Sequence, residues 1–173
     1  MNPDPDPATP DSTVRVLAER LAASGQALLG RSLAVRHVDA GSCGGCEIEL
    51  AAVRVLRDGL SRSGITFTDD PRAADVLLIT GVATTNLAEA AQRTLAAMAP
   101  PRFVVAMGDC AVDGGVFKGS APVLGGAERI LPVDLLIAGC PPTPRQIIAG
   151  LLALLEANAA PVRRTPRRIE PKA

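Results

Sequence analysis

Residues 74–81, ADVLLITG, run apolar from Val76 to Ile79 and stop at Gly81. No polar residue alternates with them, so the run does not describe a strand with one wet face. It describes a strand buried on both faces, which is the habit of parallel sheets covered by helices. Working outward from it, RFVVAMG (102–108) is a second such run and VDLLIAG (133–139) a third, while LAVRHVD (33–39) and ITFTD (65–69) complete five strands. Helical patterns fall between them: CEIELAAVRVLRDGL (46–60), with Ile48, Ala51, Ala52, Val55 and Leu56 on one stripe, and NLAEAAQRTLAAMA (86–99), with Asn86 as N-cap and Glu89 at the capping-box position. TPRQIIAGLLALLEANA (143–159) closes the series, with Pro144 in its first turn. Strand–helix alternation predicts an α/β fold: a doubly wound, mostly parallel, five-stranded flavodoxin-like sheet with helices on both faces and right-handed crossovers. The glycine-rich stretch 109–132 is expected to hold a loop and a short helix above the sheet.

The chain has 173 residues, which suits one domain, expected over residues 13–158. An acidic, proline-rich tail is expected at 1–12 and a basic, proline-rich tail at 159–173, neither able to bury enough to order itself. The basic tail carries Arg163, Arg164, Arg167, Arg168 and Lys172; it reads as a solvated end or as a docking segment for a partner or an anionic lipid surface. Aromatic residues make up 2% of the chain, with no Trp or Tyr, which argues against single-strand nucleic-acid binding by base stacking. Formal net charge is zero, so no steering toward a polyanion is expected. The first residues lack the basic and apolar regions of a secretory signal, and no apolar run reaches the ~18 residues of a membrane span. A reducing, cytoplasmic location is expected, where cysteines serve metal or redox chemistry more often than disulfides.

The four cysteines are Cys43, Cys46, Cys110 and Cys140. Each follows a predicted strand, and in a parallel sheet those carboxyl ends share one edge, where open α/β sheets bind ligands. Four thiols distant in sequence are thus expected to converge. Four thiolates need a cation, and an iron–sulfur cubane or a zinc ion would serve. One Cys-x-x-Cys pair with two distant single cysteines fits the cubane better than paired zinc knuckles, and a redox dithiol at Cys43/Cys46 is a further reading. Gly41, Gly44 and Gly45 offer backbone amides that a cluster's sulfurs would accept.

Four stretches, HVDAGSCGGCEIEL (37–50), TGVATTN (80–86), VVAMGDCAVDGGVFKGS (104–120) and ILPVDLLIAGCPPTPRQIIAGLLALL (130–155), together resemble one family. It comprises the small electron-transfer subunits of energy-converting nickel–iron hydrogenases and formate hydrogenlyase-type complexes, homologous to the complex I subunit that carries the last iron–sulfur cluster before quinone. The resemblance implies one 4Fe–4S cluster held by Cys43, Cys46, Cys110 and Cys140. It also implies an electron-relay role in an oxidoreductase complex, beside a nickel–iron-type or complex I-like large subunit, a ferredoxin-like iron–sulfur subunit and membrane-embedded subunits, on the cytoplasmic side of the membrane. Complex I members carry two adjacent cysteines at the first motif; the Cys-Gly-Gly-Cys here is the hydrogenase-like form. Delivery of electrons to quinone is the alternative, and a zinc-stabilised interaction module a third. The chain shows no nucleophile–base pair and no Walker or dinucleotide fingerprint of its own.

Several single residues stand beside these motifs. Glu47 and Glu49 lie in the first turn of the helix opened by Cys46, where acids complement the helix dipole; the resemblance favours Glu49 as a carboxylate for proton transfer at a partner interface. His37, the one histidine, reads as a satisfied interior residue or as a tuner of the cluster or of quinone access. Asp109 and Asp113 read as turn or interface residues. Arg145 reads either as an offset to cluster charge or as an exposed helix residue, and Thr84 or Thr85 as a hydroxyl donor or part of a plain turn.

Overall fold

The structure is a computed structural model and describes residues 12–59 and 64–159. The tails expected at 1–12 and 159–173 lie outside the described residues except for Ser12 and Ala159, which end helices. In chain order the elements are α1 (Ser12–Leu29), β1 (Leu33–Asp39), α2 (Gly45–Gly59), β2 (Ile65–Phe67), β3 (Val76–Thr80), β4 (Ala83–Thr84), α3 (Thr85–Ala97), β5 (Phe103–Met107), α4 (Asp109–Asp113), β6 (Val123–Gly125), β7 (Leu135–Ile137) and α5 (Pro144–Ala159). The main sheet has the order β2-β1-β3-β5-β7 and every neighbouring pair is parallel. This is the flavodoxin-like order, with the chain switching direction between β1 and β3.

All of β3 is buried, as its unbroken apolar run requires. One face of the sheet packs under α1, α2 and α5, through Leu21, Leu50, Val53, Ile147, Leu151 and Leu155 against Val35, Leu78 and Val105. The other face packs under α3 and α4, through Ala91 and Ala111 against Leu77, Ile79 and Ala106. Fully burying one such aliphatic side chain stabilises the fold by about 1.5–3 kcal/mol.

Helix α1 is an addition to the sequence reading, which assigned no element before residue 33. Val14, Ala18, Leu21 and Gly25 recur at helical spacing and are its buried residues. Strands are shorter than expected where polar groups cap them. Asp75 ends the run before β3: it is buried, and its carboxylate takes two hydrogen bonds from the Arg31 guanidinium (2.7 and 2.8 Å) and one from the Ala34 amide (2.9 Å). Helix α3 starts at Thr85, so Asn86 is not its N-cap; Thr84 is, without a side-chain cap, and Glu89 pairs with Arg93 one turn on. Helix α5 starts at Pro144 as expected, and Thr143 and Gln146 form a reciprocal capping box there, the Thr143 amide donating to Gln146 Oε1 at 2.9 Å. The stretch 109–132 contains α4 and two single 3-10 turns. It also contains β6, which pairs antiparallel with β4.

The apolar stripe assigned to α2 is reversed. Ile48 and Val55 are each 70% exposed, and the helix buries Leu50 and Val53 instead. Periodicity locates a stripe without saying whether it faces the core or a partner.

Candidate metal centre at the sheet rim

Strand ends deliver the four cysteines to one edge. Cys43 and Cys46 follow β1, Cys110 follows β5 and Cys140 follows β7. Cys46 lies against Gly108, where an added Cβ would sit 2.5 Å from its Sγ. A Cβ on Gly45 would meet Cys43 Sγ at 3.7 Å and Pro141, the neighbour of Cys140, at 4.0 Å; one on Gly115 would meet Cys110 Sγ at 3.1 Å. Cys110 and Cys140 line one cleft of ≈ 360 Å³ with Asp109, Val112, Gly115 and Val116. These contacts bring the loops that carry the four cysteines to one rim, while among the described residues no three Cys, His, Asp or Glu side chains are grouped closely enough to hold a single metal ion. Cys43 and Cys140 are exposed, whereas Cys46 and Cys110 are half-buried.

Burial pushes the Cys46 thiol up to about 12, helped by Glu47 and by the other three cysteines. Cys110 is raised by burial and then by Cys140, Cys43 and Asp109. Cys46 and Cys110 thus feel the neighbouring sulfurs, and without a cation these two favour the neutral thiol.

The loop between β1 and α2 is held by its own side chains. Asp39 Oδ1 accepts from the Gly41 and Ser42 amides at 2.8 and 2.7 Å, and Ser42 Oγ accepts from Gly44 at 3.2 Å. Gly41 and Gly44 amides are consequently spent on the loop, contrary to the expectation that they face a cluster. Gly81 lies against the Gly41–Ser42 backbone, locking the β3 loop to the β1 loop at the switch point. Thr84 Oγ1 donates to the Ala40 carbonyl at 3.1 Å, so its hydroxyl also serves the scaffold. Asp109 accepts from the Gly139 amide at 2.7 Å and ties the Cys110 loop to the Cys140 loop. Asp113 accepts from the Gly115 amide and pairs with Lys118, a turn role as expected. Arg145 is exposed and makes no ion pair among the described residues.

Of the two acids at the start of α2, Glu47 turns inward. The Thr80 hydroxyl donates to Glu47 Oε1, and Thr80 Oγ1 lies 2.8 Å from His37 Nε2. Thr80 has one proton to give, so His37 Nε2–H must donate to it, which fixes the neutral tautomer. Glu47 Oε2 is buried with no hydrogen-bond partner. Glu49 is half-buried and has neither an ion pair nor a hydrogen bond among the described residues. This link joins residues 37, 47 and 80 from three elements, and no local motif announces it.

His37 is the interior histidine that its strand position implied. Burial holds its imidazole below the ordinary value; Glu47 opposes that, Arg54 adds to it, Asp39 opposes and Arg36 adds. The folded chain therefore binds this proton less readily than the unfolded chain. Its contribution is fully present above the unfolded pKa of ~6.5 and is lost as pH falls through the lowered folded value. The wild-type urea midpoint is expected to drop between pH 7.5 and pH 5 by more than that of His37→Gln, which keeps a donor for Thr80 but cannot titrate. Equal drops would remove His37 from the pH response.

The chain belongs to the family described as NADH ubiquinone oxidoreductase, 20 Kd subunit, which matches residues 43–154. It is 43% identical over 122 residues to an uncharacterized protein of Methanocaldococcus jannaschii, covering 70% of this chain and 82% of that one. It is 39% identical over 131 residues to the probable membrane-bound hydrogenase subunit mbhJ of Pyrococcus furiosus, covering 76% and 78% respectively. It is 40% identical over 110 residues to an NADH-quinone oxidoreductase subunit of Rubrobacter xylanophilus, covering 63% of this chain and 44% of that one. Among solved structures, a chain of the membrane-bound sulfane sulfur reductase, an archaeal respiratory membrane complex, is similar with a TM-score of 0.63 and 32% identity, over 80% of this chain and 75% of that one.

Proposed function

We propose that the chain is an electron-relaying subunit of a membrane-associated, hydrogenase-type oxidoreductase complex, with Cys43, Cys46, Cys110 and Cys140 holding one 4Fe–4S cluster. The observation that supports this reading is the approach of four cysteines from three strand ends to one rim, with Gly108 so close to Cys46 Sγ that a Cβ would intrude and Gly115 tight against Cys110 Sγ. The donor set fits the group: raised thiols need a strongly cationic core to become ligands, and cubane irons supply it. When bound, such a cluster supplies reversible one-electron storage.

The protein's own part is to hold that centre in a fixed place and to offer it to a neighbour. Asp39 and Asp109 fasten the loops that carry the cysteines, so little rearrangement accompanies a change of charge. Exposed apolar groups, Ile48 and Val55 on α2, Val116 (84% exposed) and Phe117 in the loop after Cys110, support docking of a large subunit on this chain. Glu49 remains in the proposal as a carboxylate for proton transfer at that interface. No helix of the described residues is long and apolar enough to cross a membrane. We place its attachment to the membrane on partner subunits, in keeping with the membrane complexes named among the relatives. The Cys-x-x-Cys spacing favours a hydrogenase-type partner over a quinone-reducing one.

The test is purification of the complex through a tag on this chain, with metal, sulfide and partner analysis. A brown preparation with about four irons and four sulfides per chain is expected, together with a large subunit that has two Cys-x-x-Cys pairs for nickel. A colourless chain with one zinc would defeat the cluster reading. A large subunit without those pairs would move the assignment to the quinone branch.

A further inference from the structure

Strand β2 stops early and leaves a notch beside β1. Its register with β1 covers Leu33–Val35 alone, and the Thr68 amide closes it by donating to the Val35 carbonyl at 3.0 Å. Beyond that point a cavity of ≈ 110 Å³ is lined by Arg36, His37, Arg54, Phe67, Thr68 and Asp69. Of these, Arg36 pairs with Asp69, while Arg54 and His37 share the lining.

Arg36 is the decisive member. Its side chain is only 28% exposed, and its Nε is buried with no hydrogen-bond partner. A buried guanidinium N–H left unpaired is a cost that packing does not explain. One terminal nitrogen, NH1, is held by Asp69, a fully exposed carboxylate. Arg54 lies with its guanidinium 4.1 Å above the Phe67 ring, which fixes it at the notch, and it makes no ion pair among the described residues. A planar fork whose buried Nε–H lacks a partner, a second cation stacked on Phe67 and an exposed internal carboxylate make a receptor for an oxyanion.

We propose that this notch binds a phosphate group, with Arg36 and Arg54 as its cationic partners and Asp69 as the internal carboxylate that the ligand displaces. The small cavity admits the phosphate and leaves anything esterified to it outside. That chemistry is shared by free inorganic phosphate and by the headgroup of an anionic phospholipid. The proposal stands apart from the cysteine rim and does not need a cluster to be right.

The test uses the tagged full-length chain as purified, in phosphate-free buffer, with inorganic phosphate followed by calorimetry and phosphatidylglycerol or phosphatidylcholine vesicles by co-sedimentation. Saturable phosphate binding is expected, weakened about tenfold or more by Arg36→Gln and by Arg54→Gln. Asp69→Asn should tighten it about threefold, because removing a solvent-screened competitor frees the fork; this gain cannot arise from misfolding. If the natural source is lipid, phosphatidylglycerol vesicles alone recruit the chain, free phosphate competes, and Arg36→Gln abolishes recruitment. Vesicle binding that survives both arginine variants overturns the lipid source. Absence of phosphate binding, or binding indifferent to all three substitutions, overturns the site.

Discussion

Gly108→Ala is expected to strip the rim of its metal and to destabilise the fold in one step. Gly108 follows β5 with φ +89° and ψ 151°, a combination open in practice to glycine alone. The new Cβ would lie 2.5 Å from Cys46 Sγ and 3.6 Å from the Gly139 carbonyl. The backbone side cannot yield cheaply, so the clash must be relieved by moving Cys46. The Gly108 amide is bonded to the Ile137 carbonyl at 2.8 Å, and its own carbonyl takes the Val112 amide at 3.0 Å. Backbone strain costs about 1–3 kcal/mol and forced overpacking another 1–3 kcal/mol or so. The displaced atom is a proposed ligand, so metal content should fall with stability. Gly44→Ala is the matched control: its φ is also +89°, but nothing lies within 4 Å of the added carbon. That variant should lose stability through strain and keep its iron. Iron per chain and the urea midpoint, measured for both, decide the matter; wild-type iron in Gly108→Ala would show that Cys46 is free to move.

The parts of the fold legible in the sequence were those set by short-range pattern. Val76–Ile79 is buried on both faces because the run has no polar residue to turn outward, and that one strand implies helices on both sides. The cysteines could be placed because each follows a strand, and a parallel sheet puts those ends together whatever the spacing between them. What stayed hidden depended on partners distant in sequence. Arg31 with Asp75, and Thr80 between Glu47 and His37, are pairings between elements that carry no local mark. Asp39 could have been suspected, since an acid two and three residues before free loop amides often caps them. Helix α1 had a usable signal in Val14, Ala18, Leu21 and Gly25. The error on α2 has a different cause: Ile48 and Val55 are apolar and helical in spacing, yet they face outward. Such residues satisfy a helical pattern equally well whether the surface they meet belongs to the same chain or to another.

Replacing the cysteines one at a time should separate ligands from core thiols, and the variants should fall into two groups. All four Cys→Ala changes are expected to remove most of the iron, the visible absorption and the paramagnetic signal of the reduced protein, since a cubane with three protein thiolates is poorly held. In the metal-free chain the same changes should differ. Cys43 and Cys140 are exposed, so their loss should leave the urea midpoint within about 0.5 kcal/mol of the parent. Cys46 packs against the core under α2 and α5, so its truncation should cost about 1 kcal/mol even without metal. An exposed cysteine has no packing reason to matter. A large loss of iron in Cys43→Ala and Cys140→Ala, with metal-free stability untouched, can therefore arise only if the sulfur itself binds. Full iron in either variant would exclude that cysteine from the ligand set and return the rim to a redox dithiol or to unrelated thiols.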